Sequence, residues 1–172
     1  MRSKRLVVDA SVVQACVDER SEHPRSKNCR HFLLRIYTIC HRVVLTEKIK
    51  EEWDRHTKGY ARKWRSWMVA GKKLLRLEVP LRSDLEERVV SEFPEGNIRE
   101  AVLKDLPLIE AALSTDLTIV SLDETAREHF RTLAARVGEF RNLVWVNPER
   151  IEEDPITWLQ KGAKPERQKR FG

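Results

Sequence analysis

Apolar residues in this chain fall into two patterns. Short apolar runs, Leu6-Val7-Val8, Val43-Val44-Leu45, Leu117 to Leu122 (rich in β-formers, with Thr118 and Ser121 within it) and Leu143 to Val146, predict strands buried on both faces, as in a parallel sheet. Leu74 to Val79 is a further short strand or an extended connection, closed by Pro80. Between them apolar positions recur every three or four residues. That spacing predicts helices over Val12 to Glu19, over Asn28 to His41 (Phe32, Leu33, Ile36, Ile39 and Cys40 inward), from Glu47 onward, over Asp84 to Glu92, and over Glu124 to Arg136. Another opens at Asp105, with Pro107 in its first turn and Leu106, Ile109, Ala112 and Leu113 on one face, after a helical turn from Asn97 or Ile98. Ile151 to Leu159 is a small helix. Thr46 reads as an N-cap with Glu47 suiting the helix dipole, and Ser83 with Glu86 reads as a capping box. Ser21 to Lys27 and Phe93 to Asn97 read as loops.

The alternation implies one α/β domain over 1–160, followed by a basic, flexible tail over 161–172. With 41% hydrophobic residues the chain can bury a sizeable core, and with 35% charged its surface is heavily solvated. No apolar run reaches membrane-spanning length, and the run after the basic start stops at Asp9, too short for a signal peptide. Cys16, Cys29 and Cys40, odd in number and without CxxC spacing, read as single buried thiols in a reducing cytoplasm rather than as a zinc site with His23, His31 or His41.

A net charge of +6 and a pI near 9.4 favour an anionic partner. The basic residues concentrate between 55 and 76, where eight Lys or Arg stand with no Asp or Glu. Trp53, Tyr60, Trp64 and Trp67 interleave with them at helical spacing. Either the aromatics stack on unpaired bases, or they form the inner face of a helix whose cations face solvent. The spacing favours the second for most of the tryptophans and leaves Arg62, Lys63 and Arg65 as the expected phosphate contacts.

Four acids sit where elements meet: Asp9 after the first strand, Glu52 one turn after Ile49, Asp105 at a helix start, and Asp123 after the Leu117 run. Each has a plain alternative. Asp9, Asp105 and Asp123 suit helix caps, and Glu52 competes with Glu47 and Glu51 as an ordinary solvated glutamate. Their order carries more than any one of them. Leu6-Val7-Val8-Asp9-Ala10-Ser11, then Thr46, Ile49 and Glu52, then Asp105 with Ala112 and Leu113, then Ser121-Leu122-Asp123 resemble the PIN-domain nucleases, including the VapC-type toxins, over roughly 5–147. The resemblance implies a three-layer α/β/α sandwich with a mainly parallel sheet, and hydrolysis of single-stranded RNA. Oxygen-only ligands suit Mg²⁺ or Mn²⁺. On this reading Asp9, Asp105 and Asp123 hold metal, and Glu52 orients water or ligates a second ion. Many members are toxins neutralised by an antitoxin and others process RNA, so an antitoxin protein and a second copy of the chain join RNA as expected partners. The rival expectation is a non-catalytic RNA-binding module whose acids are only caps.

Overall fold

The computed structural model describes residues 3–172. Its strands are β1 (Arg5–Val8), β2 (Arg42–Leu45), β3 (Leu74–Arg76), β4 (Thr118–Val120) and β5 (Val144–Val146). They form one sheet in the order β3-β2-β1-β4-β5, with every pair parallel. Parallel strands need crossovers, and the intervening segments supply helices for them. α1 (Ala10–Ala15) and α2 (Pro24–Thr38) connect β1 to β2; α3 (Glu47–His56) and α4 (Gly59–Ala70) connect β2 to β3. α5 (Ser83–Glu92) and α6 (Asn97–Leu113) lead to β4, α7 (Glu124–Ala134) leads to β5, and α8 (Pro155–Gln160) follows. α2 packs on α1, α4 and α8, whereas α6 packs on α5 and α7. The result is a three-layer α/β/α sandwich. The unbroken Val and Leu runs become fully buried strand residues because helices cover both faces.

The strand order reverses between β1 and β4, so their carboxyl ends flank a switch-point crevice. Two tryptophans fix the helices around it. Trp53 Nε1–H donates to the Val8 carbonyl at 2.9 Å, tying α3 to the end of β1, and Trp64 Nε1–H donates to the Leu33 carbonyl at 2.7 Å, tying α4 to α2. Both indoles are fully buried, while Trp67 is 38% exposed. Gly59 opens α4 at φ +50°, where an added Cβ would stand 1.8 Å from the Val17 carbonyl oxygen.

Several expectations are corrected. α1 stops at Ala15. α2 starts at Pro24, because proline suits a first helical turn, so the expected loop is shorter. α2 ends at Thr38, and Cys40 falls beyond it and is exposed, while Cys16 and Cys29 are buried. The Ser83 capping box does not form. Arg82 takes the cap position, its N–H donating to buried Glu110 at 3.1 Å and its guanidinium holding Asp84 and Glu139. Residues 161–172 are not a loose tail. Arg170 bridges Val144 on edge strand β5, Phe171 stacks against Trp145 at 5.9 Å, and buried Lys169 pairs with Glu166 at 2.5 Å. An uncovered edge strand is a liability, and this segment covers it. Among the described residues no helix is long and apolar enough to cross a membrane.

Candidate functional site

α3 and α6 come together at the carboxyl end of β1 around a cavity of about 280 Å³. Asp9, Glu52 and Asp105 line it, with Lys48, Arg55 and Lys104 among the other lining residues. Three of the four acids, drawn from β1, α3 and α6, therefore share one cavity. Asp123 is not on its wall but lies close enough for its charge to act on Asp105.

Asp9 precedes α1 but its side chain does not cap it. Instead Oδ2 accepts hydrogen bonds from the Ser11 hydroxyl (2.5 Å) and the Ser121 hydroxyl (2.8 Å). Each serine makes a further hydrogen bond: Ser11 Oγ accepts the Leu122 N–H across the crevice at 3.2 Å, and Ser121 Oγ accepts the Asp123 N–H within its own turn at 3.0 Å. Two hydroxyls thus lock the end of β1 to the end of β4 and fix the orientation of Asp9. Asp9 Oδ1 accepts no hydrogen bond among the described residues.

Asp123 is a true N-cap: Oδ1 accepts the Ala126 N–H at 2.8 Å. Its other oxygen has no donor among the described residues, so capping and ligation are compatible. The turn behind it is clamped by buried Asn147, whose Nδ2 donates to Glu124 at 3.0 Å. Burial raises the Glu124 pKa, but the Asn147 hydrogen bond and the charges of Arg127 and Arg150 outweigh it and hold the carboxyl below its usual range.

Asp105 corrects the expected helix boundary. α6 begins at Asn97 and runs without a break through Pro107, so Asp105 lies in mid-helix and caps nothing. Pro107 has no N–H for the Leu103 carbonyl, a local weakness that packing of Val102, Leu106 and Ile109 in the core offsets. The Asp105 carboxylate is half-buried, and among the described residues nothing donates to it. Burial, then the charges of Asp9 and Asp123, push its pKa up to about 6; Lys104 opposes the rise and Glu52 adds to it. Glu52 is held loosely, 3.9 Å from Arg55 and 3.8 Å from Lys104. Its neighbour Trp53, bonded to Val8, sets its position; Glu51 lines the same cavity, and Glu47 does not.

The donor set is oxygen-only, the type that suits Mg²⁺ or Mn²⁺. Among the described residues no three Asp, Glu, His or Cys side chains stand in ligating geometry as they lie. The raised Asp105 pKa is in keeping with this: burial first, and then the repulsion of Asp9 and Asp123, disfavour its charged form. Donor-free oxygens on Asp9, Asp105 and Asp123 fit a divalent cation chemically.

The expected phosphate contacts are less free than the acid-poor segment implied. Lys63 pairs with Glu19 at 2.5 Å and Arg65 with Asp54 at 2.6 Å, acids contributed by other stretches of the chain. Arg62 makes no side-chain ion pair among the described residues. The serine clamp was half legible, in the small residues after Asp9 and in Ser121-Leu122-Asp123; nothing local marked Asn147. Comparison with protein-family models finds none that matches this chain, and comparison with curated proteins finds no match either.

Proposed function

We propose that this protein is a Mg²⁺- or Mn²⁺-dependent endoribonuclease that hydrolyses phosphodiester bonds of single-stranded RNA. The observation that carries this reading is the meeting of Asp9, Glu52 and Asp105 in one cavity at the strand-order switch point, with Asp123 near enough to act on Asp105. Asp9, Asp105 and Asp123 would hold the metal. The ion supplies Lewis-acid chemistry, neutralising phosphate charge and making water a better nucleophile. Glu52, held only by two long ion pairs, orients the attacking water. Ser11 and Ser121 keep one Asp9 oxygen occupied and so direct the other outward. Lys104 and Arg55, on the same wall, attract the phosphodiester to an otherwise acidic cavity. Capping alone, the rival account, explains Asp123 but neither Asp9 nor Asp105. The toxin form of the proposal adds a cytoplasmic setting, a second copy of the chain and an antitoxin protein as partners; RNA processing or degradation is its other form.

The test is cleavage of a labelled single-stranded RNA with Mg²⁺ or Mn²⁺ and with EDTA, alongside a Mn²⁺ titration. The wild type should cut only with metal, and Asp9→Asn and Asp105→Asn should lose both cutting and tight Mn²⁺ binding while remaining folded. A wild-type protein that neither cuts RNA nor binds Mn²⁺ would refute the proposal.

A further inference from the structure

The acid cavity begins a succession of four surface hollows, each sharing wall residues with the next. It shares Lys48 and Pro107 with a second. The second shares Leu45, Lys50 and Arg76 with a third, and the third shares Arg65 and Val69 with a fourth that reaches Arg62. Through these shared residues the four hollows lie in succession from the acids, across the ends of β2 and β3, to α4, a path we call the groove.

The third hollow, of about 320 Å³, differs from the others. Its only charged residues are Lys50, Arg65 and Arg76, set around Leu45, Val69 and Leu74. Two of these cations are held in place. Asp54 takes Arg65 on one oxygen at 2.6 Å and Lys50 on the other at 3.2 Å, and Glu47 adds a second contact to Lys50 at 3.2 Å. The Lys50 and Arg65 side chains are 27% and 23% exposed, low for cations, so part of the entropy of ordering them is already spent. Arg76 pairs with no acid among the described residues. Glu47, Glu78 and buried Glu110 line the second hollow, and Asp54 the fourth; the third has no acid on its own wall, and although Asp54 and Glu47 reach Arg65 and Lys50 from the neighbouring hollows, Arg76 is left to face a ligand.

We propose that this third hollow is a phosphate subsite, and that the groove carries the flank of a single-stranded nucleic acid whose reacting phosphodiester lies in the acid cavity. The inference rests on the proposed nuclease function for its register, and on the groove itself for its chemistry. Cations alternating with apolar floor suit a strand whose phosphates and base faces both need a surface. Lys63 is not on this path, since it lines none of the four hollows.

The test is fluorescence anisotropy of a labelled oligouridylate of about twelve nucleotides, across a salt series in EDTA so that binding is read without cleavage. Arg76→Gln and Lys50→Gln should each reduce the magnitude of the log affinity against log salt slope by about 0.7, the single-strand value for one lost phosphate contact. The double variant should lose about twice that and keep its melting temperature, because Arg76 has no ion pair to lose among the described residues and the acids paired with Lys50 are themselves largely open to solvent. Lys63→Gln should leave the slope unchanged. A double variant that binds with wild-type affinity and slope overturns the proposal. So does a wild type that fails to bind oligouridylate, or one displaced equally well by polyglutamate of matched charge, which would make the ligand an acidic peptide. Cleavage by a protein whose double variant keeps its slope would remove the groove and leave the nuclease reading standing. A slope loss in a protein that cuts nothing would do the reverse.

Discussion

Replacing Asp105 with asparagine should stabilise the metal-free protein. The carboxylate is half-buried in mid-helix, faces three other acids and receives no hydrogen bond among the described residues, so ionising it costs free energy. Its pKa moves from 3.8 to about 6. At about 1.36 kcal/mol per pKa unit the full displacement is worth about 3 kcal/mol. Solvent screening of a half-exposed group reduces the expected gain to about 1–2 kcal/mol. The sign follows from proton counts. Between 3.8 and about 6 the native state holds more protons at Asp105 than the unfolded state, so this group's contribution falls as pH rises through that window and stays low above it. Asp105→Asn removes the penalty. Urea denaturation in EDTA should show the variant more stable than wild type at pH 7, by a margin that shrinks below pH 6 and closes near pH 4. Added Mn²⁺ should reverse the ranking, since ligand binding to the native state stabilises only the protein that binds it. A variant less stable than wild type at pH 7 in EDTA, or a gain that does not change between pH 7 and pH 4, would refute the reasoning.

The other predictions concern the frame around the site. Trp64→Ala should cost about 3–5 kcal/mol, read by urea melts, because the indole is fully buried and bonded to Leu33; an unchanged midpoint with weaker RNA binding would make it a stacking residue instead. Gly59→Ala should cost about 1–3 kcal/mol for the left-handed backbone alone, and more for the clash with the Val17 carbonyl; a loss under about 0.5 kcal/mol, on the order of an ordinary surface substitution, would show that the approach of Gly59 to Val17 is not as close as described. His41 Nδ1 accepts the Lys4 N–H at 3.1 Å, so Nε2–H donates to the Leu159 carbonyl at 3.0 Å and the ring is neutral. Burial first, then the charges of Lys73 and Lys4, lower its pKa against the Leu159 hydrogen bond. Its contribution is complete above the unfolded value of 6.5 and is lost as pH falls from there through the folded value. In the Asp105→Asn background, which removes the opposing trend, stability should drop between pH 7 and pH 5; a flat profile there would show that the ring accepts its proton without cost.

The strands were legible because burial on both faces leaves an unbroken apolar run, and no other element of this length needs one. β4 and β5 fall inside the runs that predict them, β1 and β2 each add one arginine ahead of theirs, and the Thr46 cap forms, its hydroxyl accepting the Ile49 N–H at 3.3 Å. Helix ends were less legible, since a cap competes with tertiary donors and acceptors that local sequence does not contain. Ser83 lost its cap role to Arg82 because Glu110, twenty-eight residues away, accepts the Arg82 N–H. The pairing of Lys63 and Arg65 escaped for the same reason: an acid-free segment says nothing of Glu19 or Asp54 folding against it.

Asp105 shows how local rules and site chemistry part company. An aspartate two residues before a proline fits a helix start by every local rule, since proline tolerates a first turn and aspartate favours the cap. Here α6 instead carries both through its middle, at the cost of one backbone hydrogen bond and one uncompensated half-buried carboxylate. A helix beginning at Asp105 would spend the carboxylate on its own backbone N–H groups. Continuing the helix back to Asn97 frees that carboxylate, and the same continuation puts Lys104 on the cavity wall within 3.8 Å of Glu52. Asp9 follows the same logic, declining to cap α1 and taking its donors from Ser11 and Ser121. Only Asp123 does what local sequence expects, and it does so with one oxygen. Two of the three aspartates thus break a local preference at one end of one sheet, and departures from local rules that gather at one place, with no gain in stability to account for them, are what the proposed metal site would require.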